Sequence, residues 1–436
     1  MDQVTFQVLA RHNPWLLDRS SWPSTARSHL PARFVPRHLN VPLQCANNKI
    51  LLLVGPRQSG KSTLIWHHLA ELAEPFLLIN CEEHSCRQLC GSAALFLNSV
   101  DEIARPVPGL FFEEIQHLPE AGLFLKALVD LKPGVPIYVT GSSSYHLRSK
   151  TRESLAGRAS RHLLLPFGMA ELWPAGLPPL IEEETARRTW EDLLLWGGYP
   201  EVVLNKDKEK ILAQLVEAFV LRDASDLYRI RRQDAFRKLL SLAASQIGNM
   251  VNFSNWAENL AISVNTVIEY VNLLEESHVL KLVRPFVGGK RAEITSTPKI
   301  FFLDNGMRNL LFGGFAPVNQ RADCGVLTEN LVLTELCKHT NPLLHTISFW
   351  RSSSGAEVDF VVRTQDRLLA VEVKAGPLRR PKVSRSLRSF VAAYRPDTVL
   401  ILNDTLVDSL EIQGCPIIFE KLVRTHLSLR ECMSQE

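Results

Sequence analysis

Hydrophobic and polar positions change rhythm several times along this chain. Residues 1–48 show no sustained period and read as an irregular extension, packed by Phe6, Trp15, Trp22 and Phe34 onto the adjoining domain. From Lys49 to about Phe167, short unbroken apolar runs alternate with stretches of helical period. The runs are Ile50–Val54, Phe76–Asn80, Leu110–Glu113, Pro136–Thr140 and His162–Pro166. Strands that lack polar alternation need cover on both faces, which predicts an α/β fold with a parallel, doubly wound sheet. Residues 183–232 read as mostly helical, interrupted at Gly197-Gly198-Tyr199-Pro200. Three short helices are then predicted: Phe236–Gly248, Asn255–Leu260 capped by Ser254, and one started by Ser263 that runs to Ser277. Val279–Pro285 and Lys290–Thr295, around Gly288-Gly289, read as a hairpin. Beyond these come helix Val326–His339, strands Thr346–Trp350, Val358–Val362 and Leu369–Lys374, helix Val383–Tyr394 and strand Val399–Leu402.

The first apolar run leads straight into Gly55-Pro56-Arg57-Gln58-Ser59-Gly60-Lys61-Ser62-Thr63. Gly55 and Gly60 permit close backbone approach and positive φ, so successive N–H groups can cradle the phosphates of a nucleotide. At this spacing Lys61 reaches the β- and γ-phosphates and the Ser62 hydroxyl ligates Mg²⁺, which predicts ATP with Mg²⁺ as the ligand. A helix over Ser62–Ala73 turns its positive end to the same anion. At the end of the third run, Glu113 is the expected second Mg²⁺ anchor, and Glu114 is suited to orient or deprotonate an attacking water. The two glutamates also read as helix-start acids facing the macrodipole. Ser142, in Thr140-Gly141-Ser142-Ser143-Ser144, is placed to sense the γ-phosphate or else belongs to a serine-rich turn. Arg158 and Arg161 suit transition-state charge, in cis or from a neighbouring subunit, or else form surface ion pairs.

Composition narrows the class. A chain of 436 residues with 46% apolar and 22% charged residues is ordinary for soluble, globular proteins of several domains. The net charge of +3 creates no global field for nucleic acid, so any such partner must be met by local patches. No apolar run approaches the roughly 18–20 residues that span a bilayer, and Met1–Ala10 lacks the features of a signal peptide. A cytoplasmic protein with no membrane partner is expected. The eight cysteines are scattered, which fits reduced thiols. Cys81, His84, Cys86 and Cys90 either hold a metal or are loop and helix residues; no second cysteine pair stands at finger spacing.

The C-terminal third carries a second constellation. Glu372 and Lys374, two apart in a short strand, project to one face, and Asp359 on a neighbouring strand can meet them. Two carboxylates around Mg²⁺ with a lysine alongside can activate water and stabilise a phosphoryl transition state. The order of the elements from Val326 to Leu402 resembles that of restriction-endonuclease-like folds, and that resemblance implies Glu329 as the extra carboxylate many such nucleases use, with Glu335 as the alternate. Arg351, Arg379, Arg380, Lys382, Arg385 and Arg388 offer a basic rim. Plain ion pairing on a strand accounts for the same residues. The three-helix and hairpin order is that of a winged helix-turn-helix. The face with Asn265, Thr266, Glu269, Asn272, Glu275 and Glu276 matches DNA poorly, whereas Lys290, Arg291 and Arg284 at the wing suit phosphate.

Together these stretches resemble the bacterial and archaeal AAA-type ATPases that carry a C-terminal uncharacterised domain. The resemblance rests on the loop 55–63, Phe111-Phe-Glu-Glu-Ile-Gln-His-Leu-Pro119, Thr140–Ser144, Ser154–Arg158, Gly197–Glu201, Thr297–Asp304 and Ser354–Phe360. It implies an oligomeric P-loop ATPase with Arg158 as a finger at a subunit interface, and a C-terminal fold like that of restriction endonucleases. The expected organisation is an extension (1–48), an ATPase core (49–169), a helical lid (170–235), a winged helix (236–298) and the nuclease-like domain (299–436). The expected activity is Mg²⁺-dependent ATP hydrolysis, with action on DNA by a homo-oligomer. The alternatives are an ATP-gated nuclease and a nucleotide-dependent protein-binding switch with little hydrolysis. One departure favours the switch: the family pattern has Asp then Glu where this chain has Glu113 then Glu114, moving the metal-anchoring carboxylate by about 1 Å.

Overall fold

Four of the apolar runs become parallel strands, β1 (Ile50–Val54), β2 (Phe76–Asn80), β3 (Gly109–Glu113) and β4 (Ile137–Gly141); the fifth parallel strand, β5 (Ala159–Leu163), is only partly buried and overlaps the expected run His162–Pro166 at residues 162–163 alone. Their order is β2-β3-β4-β1-β5, with β1 between β4 and β5. The structure is a computed structural model that describes residues 3–39, 43–104, 108–141, 155, 157–219, 230, 232–288, 297–342 and 344–433. The chain divides into two compact units, residues 1–165 with the short stretch 276–278, and the remainder.

In the first unit every residue of β1 is buried, as continuous apolar strands between helical layers require. The N-terminal extension is more regular than its pattern predicts, forming helices Gln3–His12 and Trp22–Ser28. The first buries only Thr5 and Leu9, too few positions to show a period in sequence. Its task is to cover the edge strand β2. The Asn13 side chain donates to Leu78 O (2.9 Å) and accepts from Leu78 N–H (2.7 Å), and the Trp15 indole donates to Phe76 O (3.0 Å). Backbone groups that an edge leaves open are thereby paired.

The second unit has an eight-stranded mixed sheet. Its strands are β6 (Leu280–Pro285), β7 (Lys299–Phe302), β8 (Thr346–Arg351), β9 (Glu357–Arg363), β10 (Leu368–Val373), β11 (Thr398–Asn403), β12 (Asp408–Ile412) and β13 (Cys415–Lys421). They lie in the order β12-β13-β11-β10-β9-β8-β6-β7. The three expected helices are present as Gln233–Ser245, Phe253–Leu260 and Val264–Glu276. Asn252, not Ser254, caps the second, accepting from Asn255 N–H. The hairpin partner of β6 is Lys299–Phe302; the predicted strand Lys290–Thr295 lies outside the described residues. β6 also pairs in parallel with β8, so the hairpin and the C-terminal strands share one sheet.

A buried polar lock explains two of the sequence motifs. Asp304, buried, accepts from Gly198 N–H (2.7 Å) and Met307 N–H (2.9 Å). Gly198 O in turn accepts from Phe167 N–H at 2.7 Å. A Cβ on Gly198 would stand 1.9 Å from Phe167 O, so the Gly197–Pro200 break is a packing requirement. Asn305, Asn309 and Asn330 continue the lock, bonding to the carbonyls of Leu194, Leu327 and Phe302.

Gly198→Ala should destabilise the second unit by about 3 kcal/mol or more, as overpacking against backbone does. Asp304→Asn turns a donor toward an N–H and should cost about 1–3 kcal/mol. Burial pushes the Asp304 carboxyl up to about 6 from 3.8, against its backbone hydrogen bonds. Between those values the folded chain holds a proton that the unfolded chain has released, so this group's contribution to stability falls as pH rises through the window. The Asp304→Asn deficit in urea denaturation is therefore expected to be larger near about pH 5 than near about pH 7.

Candidate functional site

At the end of β1 the chain must turn out of a sheet that flanks it on both sides. It does so through Gly55, where a Cβ would lie 2.1 Å from Leu164 O, and enters helix Lys61–Leu69 through Gly60 at φ 90°. Lys61 is buried, and its ammonium donates to Gly55 O (3.1 Å) and Pro56 O (2.8 Å) within the loop. Ser59 Oγ is buried beside Gly55 and is without a hydrogen-bond partner among the described residues.

The acidic pair sits where β3 ends. The Glu113 carboxyl faces Ser62; burial holds it above the ordinary range, only partly opposed by the Ser62 hydroxyl. Glu114 adopts a left-handed backbone (φ 51°), with its N–H 3.3 Å from Thr140 Oγ1 and its carboxylate accepting from Gln116. Burial works against its ionisation, yet Lys61 and Gln116, followed by Arg57 and His117, outweigh it and keep the carboxyl below its ordinary range. Lys61, Ser62, Glu113 and Glu114 are thus brought to one place, with Thr140 at the end of β4 beside them. Ser142 lies outside the described residues.

Arg158 is not brought there within its own chain. Its carbonyl accepts from Ile50 N–H, at the opposite end of β1 from the loop, about 16 Å away by strand rise. Its guanidinium grips Asp130 through two hydrogen bonds, at 2.7 and 3.3 Å. Arg161 lies in mid-strand opposite Leu52. Arg37 carries no sequence signal but reaches the loop: it donates to Ser59 O at 2.7 Å and to Leu165 O, bridging the phosphate loop and the exit of β5.

The C-terminal constellation assembles in part. The β9–β10 ladder ends at the pair Phe360–Val371, and its continuation sets Asp359 opposite Glu372. Asp359 Oδ2 accepts from Val373 N–H (2.7 Å), and Lys374 Nζ bonds Glu372 Oε1 (2.7 Å). Burial and then Glu372 raise the Asp359 carboxyl. Burial disfavours the Lys374 charge, but Glu372, then Asp359 and Glu329, more than compensate and hold its ammonium above the ordinary range. Glu329 does not complete a metal-binding trio, because its Oε1 faces Lys299 Nζ at 3.4 Å. Glu335 lies elsewhere, accepting from Met169 N–H at 2.8 Å. Among the described residues no three of His, Cys, Asp and Glu form a group arranged to hold a metal ion, the cluster Cys81, His84, Cys86 and Cys90 included. Lys290 and Arg291 lie outside the described residues, and Glu275 is engaged with Leu282 N–H. No described helix is long and apolar enough to cross a membrane.

A parallel sheet of this order, with a glycine-rich loop passing from its first strand into a helix, defines a P-loop nucleotide-binding fold. Residues 47–173 match the family model of the AAA domain, and residues 187–317 and 324–417 match two domains of unknown function, DUF8612 and DUF4143. The chain thus joins an AAA-type P-loop domain to C-terminal domains of unknown function. Relatives include uncharacterized proteins of Mycobacterium tuberculosis (26% identical, 78% of this chain and 73% of that one) and Methanocaldococcus jannaschii (24%, 78% and 77%). Another is an uncharacterized protein of Haemophilus influenzae (24%, 85% and 92%). Among solved structures, similarity is found to AMPPCP-bound DnaA from Aquifex aeolicus (13% identical, 54% of this chain and 84% of that one, TM-score 0.23). Drosophila ORC bound to AT-rich DNA and Cdc6 is similar at 11% identity (71% and 97%, TM-score 0.21). The AAA domain implies a nucleotide with a divalent metal, and the loop fits both: a buried lysine, a hydroxyl against a carboxylate, and a buried serine oxygen without a hydrogen-bond partner among the described residues.

Arg37→Ala strips a charged donor from two loop carbonyls. It should lower stability by about 1.5–3 kcal/mol, as lost charge-assisted hydrogen bonds do, and weaken nucleotide binding without abolishing it. Arg37→Lys keeps one donor and should recover part of both. Thermal unfolding and a nucleotide titration of the two variants provide the check; a wild-type Tm in Arg37→Ala would remove the bridge from the site.

Proposed function

We propose that this chain is a Mg²⁺-dependent ATPase whose nucleotide state controls a DNA-engaging C-terminal unit. The observation that carries the ATPase reading is the gathering of Glu113 and Glu114 against Ser62 and Lys61 at the start of the phosphate-loop helix, with Lys61 favouring the ionised form of Glu114. In this reading the Lys61 ammonium leaves the carbonyls of Gly55 and Pro56 for the β- and γ-phosphates, while the loop from Gly55 to Thr63 cradles them. Ser62 and Glu113 would hold Mg²⁺, which when bound neutralises charge on the phosphate oxygens. Glu114, oriented by Gln116 and kept anionic, takes a proton from the attacking water. Thr140, at the end of β4, would report the γ-phosphate, a role the sequence also assigns to Ser142. Arg158, remote from its own loop, acts on the site of a neighbouring copy in a homo-oligomer. The protein works in the cytoplasm.

The DNA reading draws on local charge. Residues 375–396 contain no acid, and Arg379, Arg380, Lys382, Arg385 and Arg388 within them are all exposed. Such a run neutralises phosphates and should bind in a strongly salt-dependent way. A second reading, an ATP-gated nuclease, is favoured by the meeting of Asp359, Glu372 and Lys374. It expects DNA cleavage that Asp359→Ala abolishes while ATP turnover is kept.

Fluorescence anisotropy of labelled DNA, with and without ATP·Mg²⁺, tests the coupling. Wild type is expected to change DNA affinity with nucleotide, Lys61→Ala to lose that change, and Arg379→Glu/Arg380→Glu to bind DNA at least about tenfold more weakly. DNA affinity indifferent to both ATP and the double charge reversal would refute the reading.

A further inference from the structure

The open ends of β9 and β10 hold more acid than a lone catalytic pair needs. Glu357 and Asp359 are two apart in β9 and share one face; Glu372 stands across from Asp359 on β10; Glu329 comes from helix Cys324–His339. Carboxylates crowded away from water require compensating charge. Lys299, the first residue of β7, supplies it. Its side chain is only 5% exposed, and its Nζ lies 2.5 Å from Glu357 Oε1 and 3.4 Å from Glu329 Oε1. The Phe349 ring closes one flank, its centroid 5.3 Å from Nζ. Arg351 takes the other oxygen of Glu357 at 3.5 Å. Glu329 Oε2 turns toward Gly248, 3.6 Å from where a Cβ there would stand. Cations thus face both oxygens of Glu357 and one oxygen of Glu329.

We infer that Lys299 is the resident counter-ion of the C-terminal carboxylate cluster: its ammonium occupies the place between Glu329 and Glu357 that a divalent cation would need, so neither glutamate is a metal ligand. What the cluster can still offer a cation is confined to Asp359 and Glu372. Glu372 Oε2 is buried and has no hydrogen-bond partner among the described residues, whereas Lys374 holds the other oxygen. A two-metal clamp on both the attacking and the leaving oxygen of a phosphodiester would need carboxylates that Lys299 already engages. A divalent ion entering beside Lys299 would meet a fixed positive charge instead of a third carboxylate. The C-terminal fold therefore works with one divalent cation at most, and Lys299, with Arg351, sets that limit. This inference does not depend on ATP hydrolysis or on DNA.

The test is Mn²⁺ binding to the nucleotide-free full-length chain, followed by the EPR signal of free Mn²⁺, so that failure of the ATPase or DNA reading leaves it intact. Glu329→Gln is expected to bind Mn²⁺ within twofold of wild type. Lys299→Met, which frees the two glutamates, is expected to bind it at least tenfold more tightly or at one additional site, with a larger rise in Tm on adding Mn²⁺. Glu329→Gln in the Lys299→Met background should erase that gain. A tenfold loss of Mn²⁺ affinity in Glu329→Gln alone, or no gain in a folded Lys299→Met, would overturn the inference. Removing one partner of a buried ion pair can unfold a protein. Should Lys299→Met not fold, the Glu329→Gln arm decides by itself.

Discussion

The backbone of Gly55 passes so close to the carbonyl of Leu164 that any side chain would stand 2.1 Å from its oxygen. That close approach stems from the placement of β1, which has strands on both sides and cannot leave the sheet in its plane. The chain turns at once, and the turn delivers Lys61 and Ser62 to the start of a helix directly beyond the strand end. β3 ends nearby in Glu113 and Glu114, and the Glu113 side chain meets Ser62. The geometry of the nucleotide site is therefore a consequence of sheet order, with glycine as the residue that permits it.

At several places among the described residues, a charge kept from water is met by a specific partner. The Lys61 ammonium rests on loop carbonyls, Glu114 has Gln116, and Arg37 serves two carbonyls. In the second unit the buried Asp304 accepts backbone N–H groups of Gly198 and Met307, and Lys299 stands among carboxylates. Asp304 and its asparagine neighbours join separate helices to β7 without touching any catalytic candidate. In this part of the family resemblance, Gly197–Glu201 and Asp304 mark architecture and not chemistry.

Much of the fold was legible in sequence where physics is local. Ile50–Val54 and Phe76–Asn80 were readable to the residue because unbroken apolar runs end at polar flanks. The helix at Val264 was announced by Ser263, whose hydroxyl accepts from Thr266 N–H. Local rules failed where two residues competed for one role, as Asn252 and Ser254 did for a cap. They failed again where little was buried, as in helix Gln3–His12. In the candidate sites, the loop and acidic pair were visible because their spacing is contiguous. Arg37 and Lys299 were not, because each acts on residues tens of positions away and nothing in its own neighbourhood marks it. The same distance effect hid the parallel pairing of β6 with β8.

Whether this site hydrolyses ATP is tested most directly by measuring turnover beside nucleotide binding, on wild type and Glu114→Gln. The expected result is equal ATP·Mg²⁺ affinity for the two proteins and turnover lower in Glu114→Gln by roughly 10²-fold or more, the contribution of a positioned base. Wild-type turnover no faster than that of Glu114→Gln, with ATP bound equally well, would contradict it and leave a nucleotide-binding switch.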